Sequence, residues 1–184
     1  MEFDNADKVL VRNLLDHAHD YPWVMTDIGL LGLRLDDRRE FRLHVWAPER
    51  RVGPAVVHDH PYDFVSRIVV GELTNVRYVE DPSGDPYVRD RYVPPDEGNR
   101  TTDAVRLAGT ARTYREGDTY GQSAHELHDS RQAPGTVTLL RCAFRDVGRL
   151  TVCRPGDTPW VSGISRTATA DEVKEITAAA LERF

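Results

Sequence analysis

Val57-His58-Asp59-His60-Pro61-Tyr62-Asp63-Phe64, running on through Ile68-Val69-Val70 to Gly71, is the stretch on which the reading of this chain turns. Side chains alternate faces along a strand, so an extended His-x-His segment puts both imidazoles on one side. Apolar residues flank the pair, Pro54-Ala55-Val56-Val57 before it and Ile68-Val69-Val70 after it. Two imidazoles projecting from a strand into an enclosed space make half of a transition-metal site. A third ligand then comes from elsewhere, and His125 and His128 are the places to look.

The chain around this stretch is that of an ordinary globular protein. Its 184 residues suffice for one domain that buries a core without staples. A formal net charge of -6 argues against a nucleic-acid surface as the main partner. Lysine occurs only at Lys8 and Lys174, so arginine supplies nearly all the positive charge. Two cysteines, Cys142 and Cys153, make no disulfide framework and read as reduced, buried strand residues. No apolar run approaches the roughly 20 residues that span a bilayer, and the first residues lack the pattern of a secretory signal. The expectation is a cytoplasmic protein with no membrane partner.

Helical spacing marks residues 4 to about 19, with Val9, Leu10, Asn13 and Leu14 as its stripe and Asp4 or Asn5 as cap. Tyr21-Pro22-Trp23 ends it. Leu30 to Leu35 and Phe41 to Trp46 alternate around Asp36-Asp37-Arg38-Arg39, the pattern of a hairpin. His44 shares a face with Arg42 and Trp46, as a pocket residue or an ordinary sheet residue. Leu73 to Val79 and Tyr87 to Val93 read as separate strands, parted by a loop from Asp81 to Pro86 and followed by Pro94-Pro95-Asp96-Glu97-Gly98-Asn99. Val105-Arg106-Leu107 and Ala111 to Tyr114 then flank Ala108-Gly109-Thr110 as a further hairpin. Thr136 to Phe144 and Leu150 to Cys153 are late strands. Thr169-Ala170-Asp171-Glu172 is a capping box opening a terminal helix whose apolar face holds Val173, Ile176 and Leu181. The expected organisation is one domain over 1-184: a helical lead at 1-29, a β-barrel at about 30-155 and a tail with its helix at 156-184.

From His58 the sequence runs HxH, three residues, Phe64, six residues, Gly71, which resembles the first signature of the cupin superfamily. A second block, Gly117-Asp118-Thr119-Tyr120-Gly121-Gln122-Ser123-Ala124-His125-Glu126-Leu127-His128, resembles the second, with His128 eleven residues after its glycine. Phe64 stands where a glutamate is usual, Ser123 where proline is, His125 where glycine is and Gln132 where asparagine is. The resemblance covers residues 50 to 145. It implies an all-β core, a double-stranded jelly-roll barrel, with helices at both ends of the chain. It also implies a metal held by His58, His60 and His128, with His125 as the rival to His128. Without the glutamate the site becomes a three-histidine site, similar to that of thiol-dioxygenase-like cupins. Asp63 or Glu126 could instead supply a carboxylate, or the barrel could be metal-free.

Around the metal, Ser66 shares parity with the histidines unless Pro61 introduces a bulge. Tyr62 and Tyr120 offer phenols for proton donation, as does Tyr78 for substrate contact. Arg67 and Arg141 could hold a substrate carboxylate. Three neutral ligands leave open positions for substrate and O2, so the leading expectation is a mononuclear Fe(II) dioxygenase acting on a small polar metabolite. Ni, Mn, Zn and Cu suit the same ligands. The alternatives are a non-redox metal-dependent isomerase, epimerase or lyase and a non-catalytic binding module. Barrel edges and the N-terminal hairpin offer surfaces for a homodimer.

Overall fold

The computed structural model describes residues 5-38, 40-52, 56-93, 96-144, 150-156, 158 and 165-184. The expected cap at Asp4, the apolar Pro54-Ala55 and the turn at Pro94-Pro95 lie outside them. Among the described residues the body is built of two antiparallel sheets, with one helix near each end of the chain. The helices are α1 (Asn5–Asp16) and α2 (Ala170–Leu181), with a short 3-10 turn at Ala18–Asp20. The strands are β1 (Val24–Thr26), β2 (Leu30–Arg34), β3 (Phe41–Trp46), β4 (Val57–His58), β5 (Tyr62–Val70) and β6 (Glu72–Val93). The rest are β7 (Asp96–Arg115), β8 (Thr119–Gln122), β9 (His128–Gln132), β10 (Val137–Phe144), β11 (Leu150–Arg154) and β12 (Ser165–Thr167).

One sheet runs β12-β1-β2-β3-β10-β5-β8 and the other β11-β4-β9-β6-β7. The second nearly closes on itself, because β11 pairs with the distal half of β6 as well as with β4. This is an all-β jelly-roll-like core, as the alternating sequence segments require.

The first sheet is covered on both faces. On its outer face Leu31, Leu43, Val45, Val69 and Val137 pack with Val11 and Leu15 of α1, Trp23, and Val173 and Ile176 of α2. Its inner face contributes Trp46, Tyr62, Phe64, Ile68 and Leu140 to the space between the sheets, where Leu73 and Tyr114 meet them from the other side. That double burial explains the near-continuous apolar run of β10, whose successive residues serve two cores.

The α1 stripe differs from the sequence reading. Val9 is 72% exposed and Leu10 50% exposed, and the buried positions are Asp7, Val11, Leu14 and Leu15. The helix docks through this face, where Asp7 lies 3.9 Å from Arg67 on β5. In α2 the capping box forms as read: Thr169 Oγ1 accepts from the Glu172 N–H and the Glu172 carboxylate accepts from the Thr169 N–H.

The largest departure is the ribbon of β6 and β7. Two strands with a loop between them, and a hairpin turning at Ala108-Gly109-Thr110, were expected. Instead β6 pairs with β7 over almost its whole length, from Glu72↔Arg115 to Val93↔Asp96. Asp81-Pro82-Ser83-Gly84 is absorbed as a bulge, with Glu80 and Asp85 both opposite Leu107. The Asp81 carboxylate accepts from the Ser83 N–H at 2.8 Å and closes the bulge locally. Turn residues therefore mark an insertion in a strand here, not its end.

Candidate metal centre

His58 ends β4, where it pairs across to His128 of β9, whose other neighbour is Arg77 of β6. His60 lies in the connection between β4 and β5, not on a strand. The two imidazoles therefore converge because the chain turns at Asp59–Pro61, and strand alternation is not the cause. Beyond the turn, alternation resumes: Tyr62, Phe64 and Ser66 are all buried toward the interior of the barrel. Gly71, at the far end of the signature, has φ +88° and closes the turn from β5 to β6; a Cβ there would lie 2.5 Å from Thr136 Oγ1.

The ring centroids of His58, His60 and His128 stand 4.6, 5.0 and 5.0 Å apart. Their candidate ligand nitrogens all lie within 4.8 Å of one another. Three imidazoles sharing one ion at metal–nitrogen distances near 2.1 Å would place their centroids about 4.5–5.2 Å apart, for angles between octahedral and tetrahedral. The donor set therefore fits a transition metal.

Backbone carbonyls orient two of the three rings. His58 Nδ1–H points at the Val56 carbonyl at 3.2 Å and His128 Nδ1–H at the Glu126 carbonyl at 3.3 Å, which leaves each Nε2 with its lone pair for an ion. His60 instead stacks on Tyr62, at 5.0 Å and 17°. Arg42 lies over the other part of this assembly, 5.0 Å from the Tyr62 ring, and its Nη1 donates to the Tyr62 hydroxyl at 3.0 Å.

Electrostatics keep His60 and His128 in the form that binds metal. Burial, with the charges of His58, His128, Arg42 and His44, holds His60 well below its usual pKa. Burial and then His58 bring His128 down to about 3. His44, on β3, is lowered to about 3 by burial and by Arg42. Neutral imidazole is the ligating state, so no proton competes at His60 or His128 at neutral pH.

The trio lines a cavity of about 250 Å³ between the sheets. Its walls carry Trp46, Phe64 and Leu140 as apolar surface and Arg42, His44 and Gln132 as polar groups. Tyr62 and Tyr120 line it as expected, and Ser66 is buried beside Tyr120. Burial raises Tyr120 to about 12, so its phenol stays protonated.

Three expected contacts fall elsewhere. Arg67 faces outward and meets Asp7 of α1. Arg141 is exposed, being of opposite parity to Leu140 on β10. Tyr78 stands edge-on to Tyr87 at 6.1 Å in a separate cluster outside the cavity. The arginine that does border the cavity is Arg42, with Arg51 near Ile28. Its alternation with His44 and Trp46 along β3 was the available signal.

His125 does not join the trio. It has φ 62°, is half exposed, and turns its Nδ1 to Asp59 Oδ2 at 3.2 Å on the opposite side of the loop. Asp63 and Glu126 are also engaged elsewhere: Asp63 accepts from the Ala124 N–H at 2.8 Å and Glu126 from the Ser123 N–H at 2.9 Å. Both carboxylates hold the 123–126 turn that delivers His128. Phe64 packs edge-on to His60 at 5.8 Å. Asp129 borders the cavity with its pKa raised by burial. Among the described residues, three histidines without a carboxylate form the one cluster with ligand spacing.

No family model matches the chain, and no curated protein matches it. Among solved structures it is similar to a chain of the crystal structure of Drosophila melanogaster CENP-C bound to CAL1, at 12% identity and a TM-score of 0.42, over 74% of this chain and 94% of that one.

Proposed function

We propose that this protein is a cupin-type metalloenzyme, an Fe(II)-dependent oxygenase whose ion is held by His58, His60 and His128. The supporting observation is the trio itself: three imidazoles, two oriented from behind by carbonyls, converging on a cavity of metabolite size. Three nitrogen ligands would leave positions on the ion free for substrate and O2. The ion, when bound, supplies Lewis acidity and, if it is iron, electrons for O2 chemistry.

The chain's own residues do the rest. Burial keeps His60 and His128 unprotonated. Phe64, Trp46 and Leu140 exclude water from the reacting region. Tyr62, fixed by Arg42 and stacked on His60, holds a phenol proton near the ligands. Tyr120 supplies a second, with a pKa high enough to remain a donor throughout the neutral range. Arg42 places positive charge at the wall and favours an anionic substrate.

The test is O2 uptake by anaerobically Fe(II)-loaded protein presented with small thiols, amino acids, hydroxy acids and keto acids. Substrate-dependent uptake that disappears in His60→Ala supports the reading. Turnover of the same compounds under argon with Zn(II) would replace it with isomerase or lyase chemistry. Absence of any turnover with bound metal would leave a binding module.

A further inference from the structure

Gln132 is a polar residue in the wall of this cavity. It ends β9, opposite Leu73 and four residues beyond His128, so it stands about 13 Å along the strand from that ligand. Both carboxamide atoms are buried, and neither Nε2 nor Oε1 has a hydrogen-bond partner among the described residues. The neighbouring carboxamides are different. Asn75 donates to Gln122 at 3.1 Å, and Gln122 donates to the Glu126 carbonyl at 3.1 Å. Buried amides are ordinarily paired, and one left open on both its donor and its acceptor, in the wall of a cavity, points to a ligand that completes it. The opposite end of that cavity is electropositive: Arg42 borders it, and a divalent ion on three neutral imidazoles would add its whole charge.

We propose that Gln132 determines specificity and that the ligand is a small carboxylate whose far end carries both a hydrogen-bond donor and an acceptor, as a carboxamide or hydroxyl does. The carboxylate lies toward the histidines and Arg42, and the neutral end pairs with the Gln132 amide. This rests on reading the cavity as a ligand site and does not require the oxygenase chemistry.

Succinamate, levulinate and pentanoate are monoanions of similar shape. Their far ends offer donor and acceptor, acceptor only, and neither. Calorimetric titration of the full chain, both metal-free and Zn(II)-loaded, should show succinamate binding at least ~10-fold tighter than pentanoate, with levulinate between them. In Gln132→Leu and Gln132→Met the ratio should collapse below ~3-fold while metal stoichiometry stays at the parent value. In the parent, the side-chain amide ¹⁵N–¹H signals that both variants lack should move with succinamate and stay still with pentanoate. Equal affinities in the parent, a ratio preserved in the variants, or no binding of any of the three would overturn the proposal. If the protein takes up no metal but the ratio holds in the metal-free form, the metal reading falls and this one stands.

Discussion

A few side chains decide how the loop carrying His58 and His60 is held. Asp59, between them, points away from the cavity and accepts from the Thr151 N–H at 2.7 Å and from His125. Its replacement by alanine strands the half-buried Thr151 amide, so Asp59→Ala should lose about 1–3 kcal/mol in urea unfolding, whereas His125→Ala, which removes an exposed partner, should lose less than about 1 kcal/mol. His44 gives the centre a pH signature. Its native pKa lies near 3 against 6.5 for an ordinary histidine, so between those values the unfolded chain binds a proton that the native chain refuses. Stability contributed this way is complete above about pH 6.5 and is lost as pH falls toward 3, at up to about 1.4 kcal/mol per pH unit per histidine. Unfolding of the metal-free protein from pH 7 to pH 5 should therefore be less steeply pH-dependent in His44→Asn than in the parent; an unchanged slope would mean that His44 is hydrated.

At the scale of elements, the turns matter as much as the strands. Gly71 combines a positive φ with a contact that leaves no room for a methyl group, so Gly71→Ala should cost more than the ~1 kcal/mol of a left-handed residue alone. Thermal unfolding would show this; a loss of only ~1 kcal/mol would mean that Thr136 gives way. Hairpin β2–β3, strand β10 and the capped helix α2 were legible in the sequence, because each is specified by local alternation or by a four-residue motif. The β6–β7 ribbon was not. Its Asp-Pro-Ser-Gly insertion has the composition of a loop, and only the pairing of Glu80 and Asp85 with Leu107 on the partner strand identifies it as a bulge. The α1 face was misread for a related reason. Val9 and Leu10 have the right spacing, but the buried Asp7 and its Arg67 partner set the docking angle, and that pairing is tertiary.

The whole molecule buries one sheet between a helical layer and an internal cavity; the β core and the terminal helices were expected from the sequence, whereas the packing of both helices on one sheet is tertiary. The convergence of the trio was legible because His58, His60 and His128 stand at regular spacings from Gly71 and Gly117, and those spacings singled them out. The wall opposite was not, since parity alone does not say which arginine faces inward: Arg67 and Arg141 point out, and Arg42 points in. Metal and fold should be coupled, because a ligand that binds only the native state stabilises it, by about 2.7 kcal/mol at a hundredfold excess over Kd. The decisive measurement is the iron-to-protein ratio after anaerobic Fe(II) loading and desalting, in the parent beside His128→Ala and His125→Ala. A ratio near one in the parent and in His125→Ala, falling below about a tenth in folded His128→Ala, is the result predicted here; a parent that retains no iron, or a His128→Ala that retains it fully, would contradict the three-histidine centre.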